Sequence, residues 1–168
     1  MKIALTGSHG TGKSTLVHNH FFKWFFQDHL IIDSIVRNKK LSWIDSTLMT
    51  KKEQHNINAS CFKLHYKTKD FISARSIFDH WAYSRITLDR DFDKWYFNVY
   101  KQLISYDYLF YIPIEIELEN DNFRPLDREY QLKIDKEIKY LLNNYNIKYH
   151  TITGTIQQRI DKIETILI

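Results

Sequence analysis

The chain has little glycine, cysteine or uninterrupted apolar sequence. Only four of its 168 residues are glycine and two are proline, so no flexible linker is evident and we expect one domain over residues 1–168. A single cysteine, Cys61, excludes an internal disulfide. No apolar run approaches the roughly 20 residues that cross a membrane, and no signal-peptide pattern begins the sequence. These absences predict a soluble, cytoplasmic protein with no membrane partner.

The charge balance is only mildly basic. Lysine and arginine number 24 against 20 acidic residues, and the isoelectric point is near 9.0. This excess suits a polyanionic ligand, but it is too small to indicate nucleic-acid binding by itself. Nucleic acid is therefore a possible but not a required partner. We expect a monomer or homodimer.

The glycines that are present are concentrated near the start of the sequence, at Gly7, Gly10 and Gly12. Residues 7–14, "GSHGTGKS", match the phosphate-binding P-loop pattern G-x-x-x-x-G-K-[ST]. Residues 3–5 form an apolar run suited to a buried strand, and residues 14–26 can continue as one helix. Strand, loop and helix therefore occur in the order that a P-loop requires, although an ordinary glycine-rich turn is the alternative.

Each part of the P-loop motif has a chemical role. Backbone amides from His9 to Ser14 would point at phosphates at a helix N-terminus. The Lys13 ammonium would reach the β- and γ-phosphates, and the Ser14 hydroxyl would bind Mg²⁺. ATP and Mg²⁺ are therefore the expected ligands. The residues expected to bind the nucleotide here are Gly7, Ser8, His9, Gly10, Thr11, Gly12, Lys13, Ser14 and Thr15.

Predicted strands alternate with predicted helices along the chain, which is typical of an α/β fold with a parallel sheet of about five strands and helices on both faces. The predicted strands are residues 3–5, 29–33, 70–74, 106–114 and 147–152. The predicted helices after the first are residues 51–67, 77–86 and 91–103, one from 126 onward, and a closing helix after Gly154. Ligands of such sheets bind at the carboxyl ends of the strands.

Charged side chains follow the predicted strands at that end. The Asp33 carboxylate could accept the proton of an attacking hydroxyl or hold Mg²⁺ through water, or it could cap the next helix. Arg37 could neutralise a phosphate or pair with Asp33, or it could be a surface residue. Both are candidates for substrate binding, and Asp33 is also a candidate for catalysis.

The segment "SARSIFDHWAYSR", residues 73–85, is the second informative stretch. Arg75 and Ser76 follow a predicted strand directly, so they would enter the site at the start of a helix. Asp79 lies one turn later. It is a candidate for substrate binding, or it is simply an acid that is favourable near a helix N-terminus.

With the P-loop, these residues resemble the small P-loop kinases and NTPases of the AAA-domain group. This group is related to ribosylnicotinamide kinase and to the deoxynucleoside and nucleotide kinases, and it includes phage-encoded members. The resemblance runs over nearly the whole chain, through "GSHGTGKSTL", Asp33, Arg37, "ARSIFDHWAYS", "FRPLDREYQLKIDKEI" and "YHTITGTIQQRI". It implies a three-layer, nucleotide-kinase-like P-loop fold with a lid.

The resemblance also assigns roles and shows one departure. A lid at about residues 117–128 would bring Arg124 and Arg128 to the transferring phosphoryl group, together with Arg75; a solvated loop is the alternative. Gly154 would belong to the adenine-side loop, or to a simple capping turn. Where such kinases commonly carry an acid at the end of the third strand, this chain has Ala74, which cannot bind metal.

The predicted function is ATP-dependent phosphoryl transfer to a hydroxyl or phosphate of a small molecule, and the predicted acceptor is a (deoxy)nucleoside or nucleotide. Lys13, Asp33, Arg75, Arg124 and Arg128 are the predicted catalytic residues. One alternative is a kinase that acts on DNA or on a polynucleotide end, which would require an open basic groove. The other is a nucleotide-binding switch or NTPase that lacks kinase activity, and Ala74 is the reason to consider it.

Overall fold

A computed structural model describes residues 1–32, 49–88, 91, 93–118 and 126–168 of the chain. Its strands are β1 (Lys2–Thr6), β2 (Leu30–Ile32), β3 (Phe71–Ser73), β4 (Tyr108–Tyr111) and β5 (His150–Thr151). Its helices are α1 (Lys13–Val17), α2 (His20–Phe25), α3 (Lys51–Lys67), α4 (Ile77–Thr87), α5 (Lys94–Leu103), α6 (Arg128–Asn144) and α7 (Ile156–Leu167). All five predicted strands are present; β1 extends beyond its predicted range at both ends, and the other four are shorter than predicted.

The described strands form one parallel sheet in the order β2-β3-β1-β4-β5. The predicted α/β class with a five-stranded parallel sheet is confirmed. β1 lies at the centre, with β3 on one side and β4 on the other. The chain therefore adds β2 and β3 on one side of β1 and then crosses to its other side to add β4 and β5. The carboxyl end of β1 is therefore the place where such sheets open a ligand crevice.

Two apolar clusters cover the two faces of the sheet. Successive residues of β1 belong to different clusters, because successive side chains of a strand point to opposite faces. Ala4 packs with residues of α3, α4, α5 and α6, whereas Ile3 and Leu5 pack with residues of α1, α2 and α7. Helices therefore cover both faces, as the strand and helix alternation predicts.

The first predicted helix is wrong in one respect. Residues 14–26 do not form one helix: α1 ends at Val17 and α2 begins at His20. The Asn19 side chain accepts a hydrogen bond from the Phe21 amide and so caps a new helix. Asparagine side chains readily bond nearby backbone groups in this way, so asparagine favours helix N-caps over helix interiors.

The clearest sequence-predicted helix, the amphipathic one after residue 126, is present as α6. The Asp127 side chain caps it by accepting from the Tyr130 amide at 3.1 Å. Ile134, Ile138 and Leu141 are fully buried against α4 and the sheet. Among the described residues, none of the helices is both long and apolar enough to cross a membrane.

Candidate functional site

The phosphate loop leaves the carboxyl end of β1 and enters α1. Gly7 has φ 142°, and a Cβ at this position would overlap the carbonyl oxygen of Ile112 in the segment after β4. Gly12 has φ 88° and caps α1 in the left-handed conformation. Both positions therefore require glycine, one for space and both for backbone angle. The concentration of glycine in this segment has a steric cause.

Lys13 lies inside the loop that it closes. Its side chain is 6% exposed, and its ammonium donates to the carbonyl oxygens of Gly7 (2.6 Å) and Ser8 and to the Thr11 hydroxyl (3.0 Å). Ser14 is half-buried in the first turn of α1. The ammonium is thus held at the loop's interior, close to where the motif predicts the phosphates. Its contact with them stays a prediction.

The His9 amide has a partner on α4 in this structure, and its predicted contact with a phosphate stays a prediction. In the structure this amide donates to the Tyr83 hydroxyl at 3.2 Å, and the same hydroxyl lies 2.9 Å from His9 Nδ1. The Tyr83 hydroxyl therefore accepts from the His9 amide and makes a second hydrogen bond with the His9 ring. This contact fixes the start of the loop to α4.

Asp79 is fully buried and ties the loop to the start of α4. Its Oδ2 accepts from the Thr6 hydroxyl (2.7 Å) and from the amide (2.8 Å) and hydroxyl (2.6 Å) of Ser76. Its Oδ1 accepts from the Gly7 amide at 3.0 Å and lies 3.9 Å from Arg75 Nη1. With four donors already satisfied, this carboxylate is better placed to hold the loop than to bind a substrate.

Arg75 is brought to the entrance of the loop by this arrangement. It follows β3, the neighbour of β1, and its guanidinium lies next to the carboxylate that binds the first glycine. The guanidinium also stacks 5.1 Å from the centroid of the Tyr83 ring. The predicted role of Arg75 at the phosphate stays a prediction.

A buried polar network that the sequence did not reveal supports the turn before Arg75. The Ser73 hydroxyl donates to the Arg75 carbonyl (2.6 Å) and accepts from the Arg75 amide (3.2 Å). His65 Nε2 lies 3.2 Å from this hydroxyl, and His65 Nδ1 lies 2.9 Å from the Tyr106 hydroxyl, which accepts from the Ile77 amide. Because the Ser73 proton goes to the Arg75 carbonyl, His65 Nε2 must donate to the Ser73 hydroxyl, and in a neutral imidazole Nδ1 then accepts from the Tyr106 hydroxyl.

Burial is the main reason that this histidine stays neutral. Desolvation lowers the pKa of His65 from 6.5 to about 3, with a smaller contribution from His80. His80, one turn into α4, is also buried, and desolvation followed by the charge of Arg75 lowers its pKa to about 3. Both imidazoles are therefore uncharged at neutral pH.

Two further side chains that the sequence did not indicate contact the loop from behind. Gln131 of α6 is fully buried, and its Nε2 donates to the His9 carbonyl at 2.7 Å. Arg159 of α7 is also fully buried, and its Nη1 donates to the Thr11 carbonyl at 2.6 Å. Both are polar residues on apolar helix faces, three residues from Ile134 and Ile156 respectively. A polar residue at an otherwise apolar position of a helix is the sequence signal that could have identified them.

Arg159 is paired with Glu115, which also reaches the predicted adenine-side loop. Arg159 Nη2 lies 2.9 Å from Glu115 Oε2, and the Gly154 amide donates to the same oxygen at 2.8 Å. Burial opposes ionisation, but the hydrogen bonds from Gly154 and Arg159 outweigh it and lower the pKa of Glu115 below its usual value. Gly154 is therefore joined to the phosphate loop through two charged side chains.

The lid residues are only partly described. Arg128 begins α6, and its guanidinium donates to Gln131 Oε1 at 2.5 Å, so it is linked to the loop through Gln131. Arg124, Asp33 and Arg37 lie outside the described residues. Their predicted roles, and the lid itself, stay predictions.

Ala74 is part of the apolar core behind the site. It is 2% exposed, it packs in the cluster that contains Ile3 and Leu5, and its amide donates to the Ile32 carbonyl at 2.9 Å. No group of three or more His, Cys, Asp or Glu side chains that could hold a metal occurs in the described part of the chain. The prediction that the Ser14 hydroxyl binds Mg²⁺ stays a prediction.

As a whole, the site presents an anion-binding loop at a helix N-terminus, a buried ammonium and an adjacent guanidinium. The loop follows the central strand β1, which lies between the strands added on one side, β2 and β3, and those added on the other, β4 and β5. Such an arrangement binds phosphate groups and can stabilise charge that develops on them.

Comparison with known proteins agrees with this architecture. Residues 2–159 match the family model described as an AAA domain. No curated protein sequence matches the chain significantly.

Solved structures share the fold at low sequence identity. Deoxyadenosine kinase from M. mycoides has 16% identity and a TM-score of 0.68, with 99% of this chain and 98% of that chain covered. Thymidylate kinase from Ehrlichia chaffeensis has 16% identity and a TM-score of 0.63, with 100% and 98% covered. NadR protein, solved in complex with NR, has 13% identity and a TM-score of 0.73, with 98% of this chain and 49% of that chain covered. The chain therefore spans about half of NadR and nearly all of the two kinases.

Proposed function

The chain belongs to the AAA domain family, and from that premise we propose that it is a kinase that transfers the γ-phosphoryl group of ATP to a small molecule. One observation carries the proposal. The Asp79 carboxylate bonds the Gly7 amide and lies beside the Arg75 guanidinium, so a cation stands at the entrance of the phosphate loop. A loop alone would bind nucleotide, whereas a cation beside it can stabilise a phosphoryl group in transfer.

In this proposal the chain mainly positions the reactants and stabilises charge. Residues 7–15 hold the triphosphate, Lys13 contacts its β- and γ-phosphates, and Ser14 holds Mg²⁺, which neutralises phosphate charge when it is bound. As the acceptor oxygen bonds to the γ-phosphorus, the bond from that phosphorus to the β–γ bridging oxygen breaks and ADP leaves. Asp33 takes the proton of the acceptor hydroxyl.

Arginines provide the remaining stabilisation. Arg75 and the lid residues Arg124 and Arg128 offset the charge on the transferring oxygens, and closure of the lid excludes water that would otherwise accept the phosphoryl group. Arg128 is supported in this role by its hydrogen bond to Gln131, which in turn contacts the loop.

The acceptor in this proposal is a nucleoside or nucleotide. The names of two structures of the same fold, deoxyadenosine kinase and thymidylate kinase, favour this class.

A nucleotide-binding switch is the second candidate, and Ala74 favours it. The third strand ends in a buried methyl group instead of an acid, so one potential carboxylate is missing from the strand end beside the loop. If Asp33 does not replace it, the protein would bind nucleotide without transferring its phosphoryl group.

Mass spectrometry of reaction mixtures separates these functions. The purified protein is incubated with ATP and Mg²⁺ and with pooled nucleosides, nucleoside monophosphates, ribosylnicotinamide or short DNA. We expect a nucleoside or nucleotide product that gains one phosphate. Lys13→Ala should abolish it, whereas Lys23→Ala, at an exposed lysine of α2, should not.

The other outcomes each name a different function. Phosphorylated DNA would mean a polynucleotide kinase, and ADP formation with every acceptor pool unmodified would mean an NTPase. ATP binding without turnover would leave the switch. Any of these three results would overturn the proposed small-molecule kinase.

A further inference from the structure

Two carbonyl groups of the phosphate loop are held by side chains from different helices. Gln131 of α6 donates to the His9 carbonyl at 2.7 Å, and Arg159 of α7 donates to the Thr11 carbonyl at 2.6 Å. Both side chains are fully buried. The two bound carbonyls are two residues apart in the loop, and each belongs to a residue that precedes a glycine, Gly10 or Gly12.

A trans peptide unit makes these contacts informative about the amides. The carbonyl of one residue and the N–H of the next point in opposite directions. With the Thr11 carbonyl turned toward Arg159, the Gly12 N–H points away from Arg159. By the same geometry, the Gly10 N–H points away from Gln131.

The glycines make such restraints necessary. A peptide unit flips by changing ψ of one residue and φ of the next, and glycine accepts both signs of φ at little cost. Gly10 and Gly12 now have φ values of 71° and 88°. A flip at either glycine would turn a carbonyl oxygen to the side now occupied by an N–H, where it would repel a phosphate instead of binding it.

From this geometry we propose that Gln131 and Arg159 are positioning residues that orient the amides of Gly10 and Gly12 for phosphate binding. The inference rests on the proposed function in one respect, that the loop binds a nucleotide. It assigns to two helices distant in sequence the task of preparing the loop before the ligand arrives, which reduces the ordering that binding must impose.

The charge of Arg159 is compatible with this role because Glu115 compensates it. Glu115 Oε2 lies 2.9 Å from Arg159 Nη2, and its pKa is lowered, so it is ionised at neutral pH. Since Glu115 also accepts from the Gly154 amide, the predicted adenine-side loop and the phosphate loop share one restraint. A shorter cation such as lysine has one nitrogen and cannot hold Glu115 and the Thr11 carbonyl in the same forked geometry.

Calorimetric binding of tripolyphosphate tests the proposal, because this probe has phosphates but no base or sugar. We expect Arg159→Met and Gln131→Met each to weaken its affinity about tenfold or more, the equivalent of one lost hydrogen bond to a charged group. Arg159→Lys, which retains the charge, should fold like the parent protein and still bind more weakly. ATP should show the same losses.

Arg85→Met is the matched control. Arg85 is a half-buried arginine of α4 that pairs with Glu137 of α6 at 2.6 Å, so its loss disturbs the fold without touching the loop. We expect its melting temperature to fall and its tripolyphosphate affinity to stay at the parent value. All binding is measured well below the melting temperature of each variant.

The unfavourable outcomes are distinguishable. If Arg159→Lys and Gln131→Met bind tripolyphosphate and ATP as tightly as the parent protein, the two side chains only stabilise the fold and the proposal is overturned. If the parent protein itself binds neither compound, the proposed function fails, and the inference fails with it.

Discussion

Lowering the pH from 8 to 5 is expected to destabilise this protein through two buried histidines, His65 and His80. Burial lowers the pKa of each to about 3 in the folded protein, from an ordinary value of 6.5. Between these two values the unfolded chain binds a proton at each imidazole and the folded protein does not. The free energy of unfolding therefore falls as the pH falls through this window and recovers as it rises.

The loss of unfolding free energy at pH 5 depends mainly on the pKa of histidine in the unfolded chain. pH 5 lies about 1.5 units below the unfolded pKa and well above the folded one, and each unit corresponds to about 1.4 kcal/mol. Each histidine therefore costs about 2 kcal/mol at pH 5, and the two together about 4 kcal/mol. That is a large part of the stability of an ordinary domain.

Urea unfolding at pH 8 and pH 5 measures the effect, and His65→Gln isolates the contribution of one residue. Glutamine does not titrate, so the variant should lose about 2 kcal/mol less than the parent protein over this pH range, even if it is less stable at both pH values. An NMR titration of the His65 ring should also show no protonation above pH 5. If the variant loses as much stability as the parent, or if the ring titrates near pH 6.5, the reasoning from burial is refuted.

Two other substitutions test contacts around the loop. Gly7→Ala should destabilise the protein by about 2 kcal/mol or more, because its Cβ would overlap the Ile112 carbonyl at a positive φ; a melting temperature equal to that of the parent would contradict this packing. Asp79→Asn should cost about 3 kcal/mol in urea unfolding, because an amide nitrogen would face hydrogen-bond donors. Asp161→Asn on the exposed face of α7 is its control, and equal stabilities of these two variants would count against the buried network.

Features that depend on local chemistry could be predicted from the sequence. Glycine is the residue that tolerates the backbone angles at positions 7 and 12, so the spacing of these two glycines in the sequence predicted the P-loop. The apolar period after residue 126 predicted α6, and apolar runs between helices predicted the parallel sheet. The absence of glycine and proline does not predict the break at Asn19, because a side-chain cap can begin a new helix without either residue.

The contacts of Asp79 could not be predicted from the residues around it in the sequence. As an acid in the first turn of a helix, it was equally suited to a ligand and to a helix dipole. The structure shows a third role, because the carboxylate accepts from Thr6 and Gly7 of the loop as well as from Ser76 of its own helix. The packing of β3 beside β1 makes that contact possible, and no spacing within α4 encodes it.

The sequence by itself determined where a phosphate loop must lie and which class of sheet carries it, because glycine conformation and apolar periodicity act over a few residues. Tertiary structure alone decided what holds that loop in shape. Arg159 bonds a carbonyl 148 residues away and Gln131 one 122 residues away. Such partners are chosen by the folding of α6 and α7 against the sheet, since a hydrogen bond depends on distance in space and not on separation along the chain.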